Sequence, residues 1–218
     1  MSEQTPPQAP LEQAPPAGAG PAPDSAIAVD SRTIKGLAHP LRVRLLGLLR
    51  AHGSATATEL GRRVGESSGV TSYHLRQLAA YGFVEEDEGR GNRRERWWRA
   101  RHRMTHFDPD ALDEDTRALG DEYLRSVGST YSRRIEDYLD TRVSRADELG
   151  ASWQHAFTIS DDFLWLTAAQ STRLVGELDE LVGRYRQEAG ADRTGRRPVV
   201  AQYQVMPLAA DEDMSWPS

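Results

Sequence analysis

The chain of 218 residues contains no cysteine. It therefore forms no disulfide bond and offers no thiolate to a zinc site, an iron–sulfur cluster or a nucleophilic mechanism. No apolar run approaches the roughly 20 residues that a helix needs to cross a bilayer. The first residues also lack the basic start and apolar core of a secretion signal. We therefore expect a soluble, cytoplasmic protein, long enough for one fair-sized domain or two small ones.

Catalytic motifs are scarce as well. The sequence Gly89-Arg90-Gly91-Asn92 lies in a predicted hairpin rather than between a strand and a helix, so it is no phosphate-binding loop. The remaining candidates for metal or acid–base chemistry are two groups: His102 with His106, and His155 with Asp161 and Asp162. Neither group has further ligands at a recognisable spacing, and solvated side chains are the preferred interpretation. We expect no enzyme, no cofactor and no bound metal.

The formal net charge of −6 is unevenly distributed along the chain. Residues 1–30 carry four acidic residues and no Lys or Arg. Residues 31–106 carry 15 Lys and Arg against seven Asp and Glu, whereas residues 107–218 carry 12 against 22. A basic segment between two acidic ones is typical of a nucleic-acid-binding module joined to something else. The first segment, rich in Pro, Ala, Gln and Gly, is predicted to be a disordered tail.

Residues 31–65 carry the first helical signals. A short apolar piece around Ile34 and Leu37 is separated by His39-Pro40 from a longer helix that ends at Gly53. On that helix Arg42 and Arg44 lie off the apolar stripe, where we expect them to be able to reach phosphate. A short helix over Thr58–Val64, with a threonine cap and two outward arginines, follows a candidate strand.

The stretch Gly69–Val84 predicts the helix on which function depends. Val70, Leu75, Leu78 and Ala79 keep helical spacing and define a stripe to be buried. The opposite face is short, polar and free of acid, as is typical of side chains that bond base edges and phosphates. A short helix, a tight turn and this second helix form the helix-turn-helix pattern. An ordinary amphipathic helix with a solvated face is the alternative.

A predicted hairpin follows directly. Phe83–Asp87 and Glu95–Arg101 are the predicted strands, and seven arginines against one acidic residue lie between Arg90 and Arg103. A two-stranded wing of this kind is placed to lie along the DNA backbone or to enter a minor groove. The adjacent Trp97 and Trp98 point to opposite faces of a strand. We expect one to pack on the core and the other to cover a neighbouring surface, and base stacking by the outer one is the alternative.

These segments together resemble the ArsR-type winged helix-turn-helix regulators. The resemblance covers Ile34 to Arg101 and rests on LAHPLRVRLLGLL, TELGRRVG, VTSYHLRQLAAYGFVEE and GRGNRRERWW. It implies that helix 68–81 reads the major groove and that wing 84–101 touches the flanking backbone. It also implies that Thr71, Ser72, His74 and Gln77 face bases, and that Arg76 and Arg90 to Arg94 face phosphates. The expected DNA contacts are Ser68, Thr71, Ser72, Tyr73, His74, Arg76, Gln77, Arg90, Asn92, Arg93 and Arg94. Metal-sensing members use sites that contain cysteine, so metal sensing is not expected.

A long helix is predicted from Leu112 to about Leu149. Its apolar residues keep near-heptad spacing, and the set is Leu119, Tyr123, Val127, Tyr131, Ile135, Tyr138 and Leu139. Two uses are open. The helix pairs with a second copy, which the family resemblance favours, or it packs onto its own chain.

The last part of the chain predicts a small α+β unit over residues 150–207. Alternation marks Trp153–Leu166 and Pro198–Met206 as strands, and Thr167 with Gln170 fits a capping box that opens a helix to about Gln187. The aromatic residues Trp153, Phe157, Phe163 and Trp165 either line a pocket for a small apolar effector or form a plain core. Residues 208–218 are predicted to be a frayed acidic tail.

The predicted fold is mainly α with a small β wing. It comprises a winged helix-turn-helix domain over 31–106, a long dimerisation helix over 107–149 and the small α+β C-terminal unit. The predicted function is sequence-specific transcriptional regulation by a homodimer bound to double-stranded DNA. The alternative is a protein-interaction adaptor that uses the winged domain and the C-terminal unit without specific DNA binding.

Overall fold

The computed structural model describes residues 26–90, 95–144, 148, 150–189 and 194–208. These residues fall into two compact units, one up to Ile135 and one from Glu136 on. The tails were predicted over 1–30 and 208–218. Residues 1–25 and 209–218 lie outside the described residues, whereas Ala26–Val29 form a strand, so the prediction of a disordered tail is wrong for this segment. Within the described ranges, no helix is long and apolar enough to cross a membrane.

The first unit contains most of the secondary structure. Its elements in chain order are β1 (Ala26–Val29), α1 (Ile34–Leu37), α2 (Pro40–His52), β2 (Ala55–Thr56), α3 (Ala57–Val64), α4 (Ser68–Ala80), β3 (Val84–Glu86), β4 (Trp97–Ala100), β5 (Met104–Phe107), a 3-10 turn (Pro109–Ala111) and the start of α5 (Glu114–Ser144). This order confirms the predicted helix-rich fold with a small sheet.

Local chemistry explains where the central helices begin. His39 caps α2, because its Nδ1 accepts a hydrogen bond from the backbone N–H of Leu41 at 3.1 Å and Pro40 suits the first turn. Thr56, rather than the predicted Thr58, caps α3 through a capping box with Glu59. Ser67 caps α4 by accepting from the N–H of Val70 at 3.2 Å.

Two small sheets flank the helices. The first is antiparallel in the order β2-β4-β3, with Val84 opposite Ala100 and Ala55 opposite Trp98. Trp98 is buried in the core and Trp97 is half-buried, as the alternation predicted. In the second sheet β1 pairs with β5 in parallel, with Val29 opposite Phe107. The sequence analysis did not predict this second sheet, because its two strands lie far apart in the chain.

The first and the later turns of helix α5 differ in how far their apolar side chains are buried. In its first turns Tyr123 is buried in the core of the first unit, where its ring lies 5.5 Å from that of Phe107. Leu119 and Val127 are partly buried against the same core. Further along, Ile135 and Leu139 are exposed. The predicted heptad seam is therefore divided: its first part packs onto its own chain, whereas in its later part Ile135 and Leu139 are exposed and Tyr138 is half-buried.

The second unit contains the end of α5 and, among the residues described after it, the helices α6 (Ala151–Gln154) and α7 (Ala168–Ala189). The capping box of α7 is confirmed: the N–H of Thr167 donates to Oε1 of Gln170 at 2.8 Å, and Thr167 Oγ1 accepts from the N–H of Gln170. The two predicted strands are wrong for the described residues, which show no strand after β5. A strand requires a neighbour for its backbone donors and acceptors, and neither segment pairs with another strand among the described residues.

The predicted aromatic pocket is not formed either. Trp165 is 85% exposed and Phe163 is 55% exposed, so neither encloses a cavity. Phe157 packs instead against α5, with its ring 5.4 Å from Tyr138 and 4.7 Å below the guanidinium of Arg142. No described residue of this unit is fully buried. The plain-core alternative is therefore wrong for these aromatic residues as well.

We predict that Tyr123→Ala lowers the free energy of unfolding by about 3 kcal/mol, because it removes a large buried ring from between α5 and β5. The exposed Arg125→Ala, on the same helix, is the control and is expected to change stability by less than about 0.5 kcal/mol. Urea denaturation of the two variants measures both. Equal stability of the two variants would show that the start of α5 does not belong to the core.

Candidate nucleic-acid interface

Helix α3 lies very close to the turn and to the first residues of α4. A Cβ atom added at Gly61 would lie 2.6 Å from the carbonyl oxygen of Glu66 and 3.1 Å from Oγ1 of Thr71. Glycine is thus required where α3 meets the start of α4. Gly65 ends α3 with a φ of +78°, a backbone conformation that favours glycine. The two helices are consequently fixed to one another over very few residues.

Arg44 holds the same turn from α2. Its guanidinium donates to the carbonyl oxygens of Val64 at 3.3 Å and Arg63 at 3.4 Å, at the C-terminal end of α3. These carbonyls have no partner within their own helix. Arg44 therefore has a structural contact that the sequence analysis missed, and Nε of Arg42 is buried. The expectation that both arginines reach phosphate is not supported by these contacts.

The outward face of α4 differs from the predicted one at two positions. Thr71 is fully buried, and its hydroxyl donates to the carbonyl oxygen of Ser67 at 2.9 Å. The prediction that Thr71 contacts a base is therefore wrong, since the polar residue faces the turn rather than solvent. Val70, predicted to be buried, is exposed. The predicted contacts that remain on the accessible side are Ser68, Tyr73 and Arg76, which are exposed, and Ser72, His74 and Gln77, which are half-buried.

His74 is held against the N-terminus of α2. Its ring lies 4.4 Å from that of His39 and makes an edge contact with Tyr73 at 5.1 Å. Its Nδ1 is buried without a hydrogen-bond partner among the described residues. Burial, with smaller contributions from His39 and Arg42, lowers the pKa of His74. Burial therefore disfavours the charged form of this imidazole, which lies against His39 at the edge of the exposed face.

A concave surface of about 450 Å³ lies beside α4. Ser68, Ser72 and Arg76 form one wall, because residues four apart share one side of a helix. The remaining lining residues come from the start of α3 and from the β4 side: Thr56, Ala57, Thr58, Glu95, Arg96 and Trp98. The groove thus extends from the exposed face of α4 to the wing strand β4. The sequence analysis named neither Thr58 nor Arg96 as site residues, because their proximity to α4 arises only in the folded chain.

Several wing arginines are paired with acidic residues of β3. Arg96 contacts Glu86 at 2.9 Å, and Glu85 accepts from Arg99 at 2.8 Å. Glu85 also lies 3.9 Å from Arg101. These pairs join the two strands of the wing. At the described edge of the hairpin tip, the guanidinium of Arg90 lies 5.8 Å above the ring of Trp97. The other predicted tip contacts, Asn92, Arg93 and Arg94, lie outside the described residues.

The candidate groups for metal chemistry are not assembled. In the described part of the chain, no three residues among His, Asp and Glu are grouped so that they could hold a metal ion. Of the two histidines His102 and His106, the first has a buried Nδ1, whereas the second lies on the exposed side of β5.

Comparison with known proteins identifies the central segment. Residues 37–87, which contain α2, α3, the turn and α4, match the family model of a helix-turn-helix domain. The chain therefore carries a helix-turn-helix domain over these residues, and the two-stranded wing of β3 and β4 adjoins it. The predicted resemblance is thereby confirmed for this segment, which is about a quarter of the chain. Such domains bind DNA in transcription regulators, and the match indicates that class of protein.

Two solved structures are similar over parts of the chain. One is the solution structure of a homodimeric winged helix-turn-helix DNA-binding domain, Mb0332 from Mycobacterium bovis, a possible ArsR-family transcriptional regulator. It is 23% identical, covers 45% of this chain and 76% of its own, and has a TM-score of 0.30. The other is disulfide-formed AbfR, 13% identical, with coverages of 55% and 77% and a TM-score of 0.27. TM-scores this low do not establish a shared overall fold. No curated protein matches the chain.

We predict that Gly61→Ala lowers the free energy of unfolding by about 1–3 kcal/mol, because the new Cβ must push α3 away from the backbone of Glu66. Gly47→Ala is the matched control: Gly47 lies inside α2 with no atom within 4 Å of an added Cβ. There the same change should stabilise the helix by up to about 1 kcal/mol. Denaturant unfolding compares the two, and stabilisation by Gly61→Ala would contradict the close contact.

Proposed function

We propose that the protein is a dimeric transcriptional regulator that binds specific sites in double-stranded DNA. Helix α4 would read base edges in the major groove, and the hairpin between β3 and β4 would follow the neighbouring backbone. The observation that carries this proposal is the row of Ser68, Ser72 and Arg76, which lines a groove that continues onto the wing strand at Arg96. Hydroxyl and guanidinium groups arranged on one helix face are suited to contact bases and phosphates together.

Charge supports the same proposal. The segment 31–106 has an excess of eight basic residues, whereas the rest of the chain is acidic. Within it, Arg62 and Arg63 are exposed on α3, next to the start of α4. A basic field on this face attracts the phosphate backbone before any specific contact forms. The groove then supplies the contacts at short range.

We expect the full chain to bind duplex DNA with an affinity that falls steeply as salt is raised, because each phosphate contact releases counterions. Arg76→Ala should weaken binding to the preferred site by about 1–3 kcal/mol if Arg76 contacts a base, or reduce the salt slope by about one if it contacts phosphate. Arg173→Ala, on the exposed surface of α7, is the control and should change neither. Fluorescence anisotropy with labelled genomic fragments over a salt series measures both quantities.

If no genomic fragment gives salt-dependent binding, the regulator proposal fails and the adaptor alternative remains. One observation favours that alternative: the second unit exposes large apolar side chains, among them Ile159, Leu164 and Trp165. A protein partner would cover such side chains.

The dimer would use the open part of α5. Leu124 and Ile135 lie three helical turns apart and therefore on one face, and Leu139 and Val143 extend it in steps of four residues. All four are exposed, and Val143 is 80% exposed. An apolar stripe of this length on a helix of 31 residues is suited to pair with the same stripe of a second copy. Two copies would place two α4 helices on one near-palindromic site.

We predict that Ile135→Asp releases monomer, because a charge in the centre of the apolar stripe would have to be buried without a partner. Ser129→Asp adds the same charge to an exposed position away from the stripe and should leave the dimer intact. Light scattering at micromolar concentration gives the mass of each variant. A wild-type mass equal to one chain would exclude the dimer without excluding DNA binding.

A further inference from the structure

Arg50, in the last turn of α2, is a mostly buried cation that has no carboxylate partner among the residues that the structure describes. Its Nε donates to the carbonyl oxygen of His102 and its Nη2 donates to Oγ1 of Thr105, both at 2.9 Å. Among the described ion pairs, none involves this guanidinium. A buried charge normally has an opposite charge beside it, because removal from water is costly. Neutral oxygens are a partial substitute.

The side chains around Arg50 include the imidazole of His102, the guanidinium of Arg103 and the hydroxyls of Thr105 and Tyr123. Nδ1 of His102 is buried and has no hydrogen-bond partner among the described residues. Arg103 follows it in the chain, and the hydroxyl of Tyr123 shares a hydrogen bond with Thr105. Burial, with a smaller contribution from Arg103, lowers the pKa of Arg50 to about 10. The cation is therefore less well stabilised here than it would be in water.

One carboxylate acts on His102, and it is already engaged. Glu85, the one carboxylate that raises the pKa of His102, is bonded to Arg99 at 2.8 Å and lies 3.9 Å from Arg101. Burial and the two arginines at positions 101 and 50 outweigh it and lower the pKa of His102 overall. The cluster therefore keeps an excess of positive charge and of hydrogen-bond donors.

We propose that Arg50, His102 and Thr105 form a binding site for a small anion that carries a carboxylate or a phosphate group. A guanidinium offers a planar fork of donors that suits both groups, and an adjacent imidazole and hydroxyl complete such a site. The site follows the end of β4 that lies away from the hairpin tip, so it is separate from the groove beside α4. The proposal does not depend on DNA binding.

The anion would connect three elements of the first unit. Arg50 belongs to α2, Thr105 to β5 and Tyr123 to α5, and these three residues already form one chain of contacts. An anion bound to Arg50 and His102 would neutralise the uncompensated charge at this junction. The folded state alone offers this arrangement, so the anion should stabilise it by mass action.

The test is a titration of the full chain, labelled with nitrogen-15, followed at the Nε–Hε resonance of Arg50. This proton is held by the carbonyl of His102, so its exchange with water should be slower than for exposed arginines. Sodium phosphate and sodium acetate are added separately, and sodium chloride keeps the ionic strength constant. We expect a saturable shift, and the anion with the lower dissociation constant identifies the preferred group.

Two variants and one control locate the site. Thr105→Val removes a hydroxyl without changing shape, and His102→Gln removes the imidazole. Each variant should raise the dissociation constant of the anion about tenfold, as is typical when a hydrogen bond to a charged group is lost. Arg62→Gln removes an exposed cation from α3 and should leave the dissociation constant unchanged. A shift that never saturates, or one that is the same in all variants, would overturn the proposal. If Thr105→Val unfolds the chain, the dissociation constant measured for His102→Gln is by itself the test of the site.

Discussion

The approach of α3 to α4 at Gly61 determines the face that the first unit presents to a partner. Because no side chain separates the helices, the hydroxyl of Thr71 can bond the carbonyl of Ser67 and turn inwards. Arg44 fixes the other side of the turn by capping the end of α3. The rotation of α4 follows from these contacts. It directs Leu75 inwards and leaves Arg76 and Tyr73 accessible.

The long helix α5 connects stability to the proposed assembly. Its first turns bury Tyr123 against β5, and so that part of the helix cannot move without disturbing the core. The parallel pairing of β1 with β5 holds the other side of β5 in place. Further along, the exposed stripe that begins at Leu124 turns away from the core. If two copies pair through this stripe, as proposed, the same helix would connect the pairing surface to the domain that carries α4.

Local signals in the sequence predicted most of the first unit. The glycine that ends α2 and the α4 positions Leu75 and Leu78 act over a few residues, and these predictions agree with the structure, whereas Val70 of the same stripe is exposed. The failures involve contacts between distant residues. The burial of Thr71 depends on Gly61, and the pairing of β1 with β5 joins segments about 80 residues apart. Alternation alone likewise could not show that Pro198–Met206 would find no neighbouring strand.

Arginine illustrates the difference between composition and contact. The basic excess of segment 31–106 indicated a nucleic-acid partner, but the folded chain uses many of these residues internally. Arg44 caps a helix, Arg50 bonds two neutral oxygens, and Arg99 is paired with Glu85. Their charge still contributes to the long-range field that attracts phosphate. Direct contact requires an accessible guanidinium, and Arg76 in the groove beside α4 meets that requirement. In the proposed complex, the net charge of the segment would account for attraction, whereas the geometry of α4 would account for specificity.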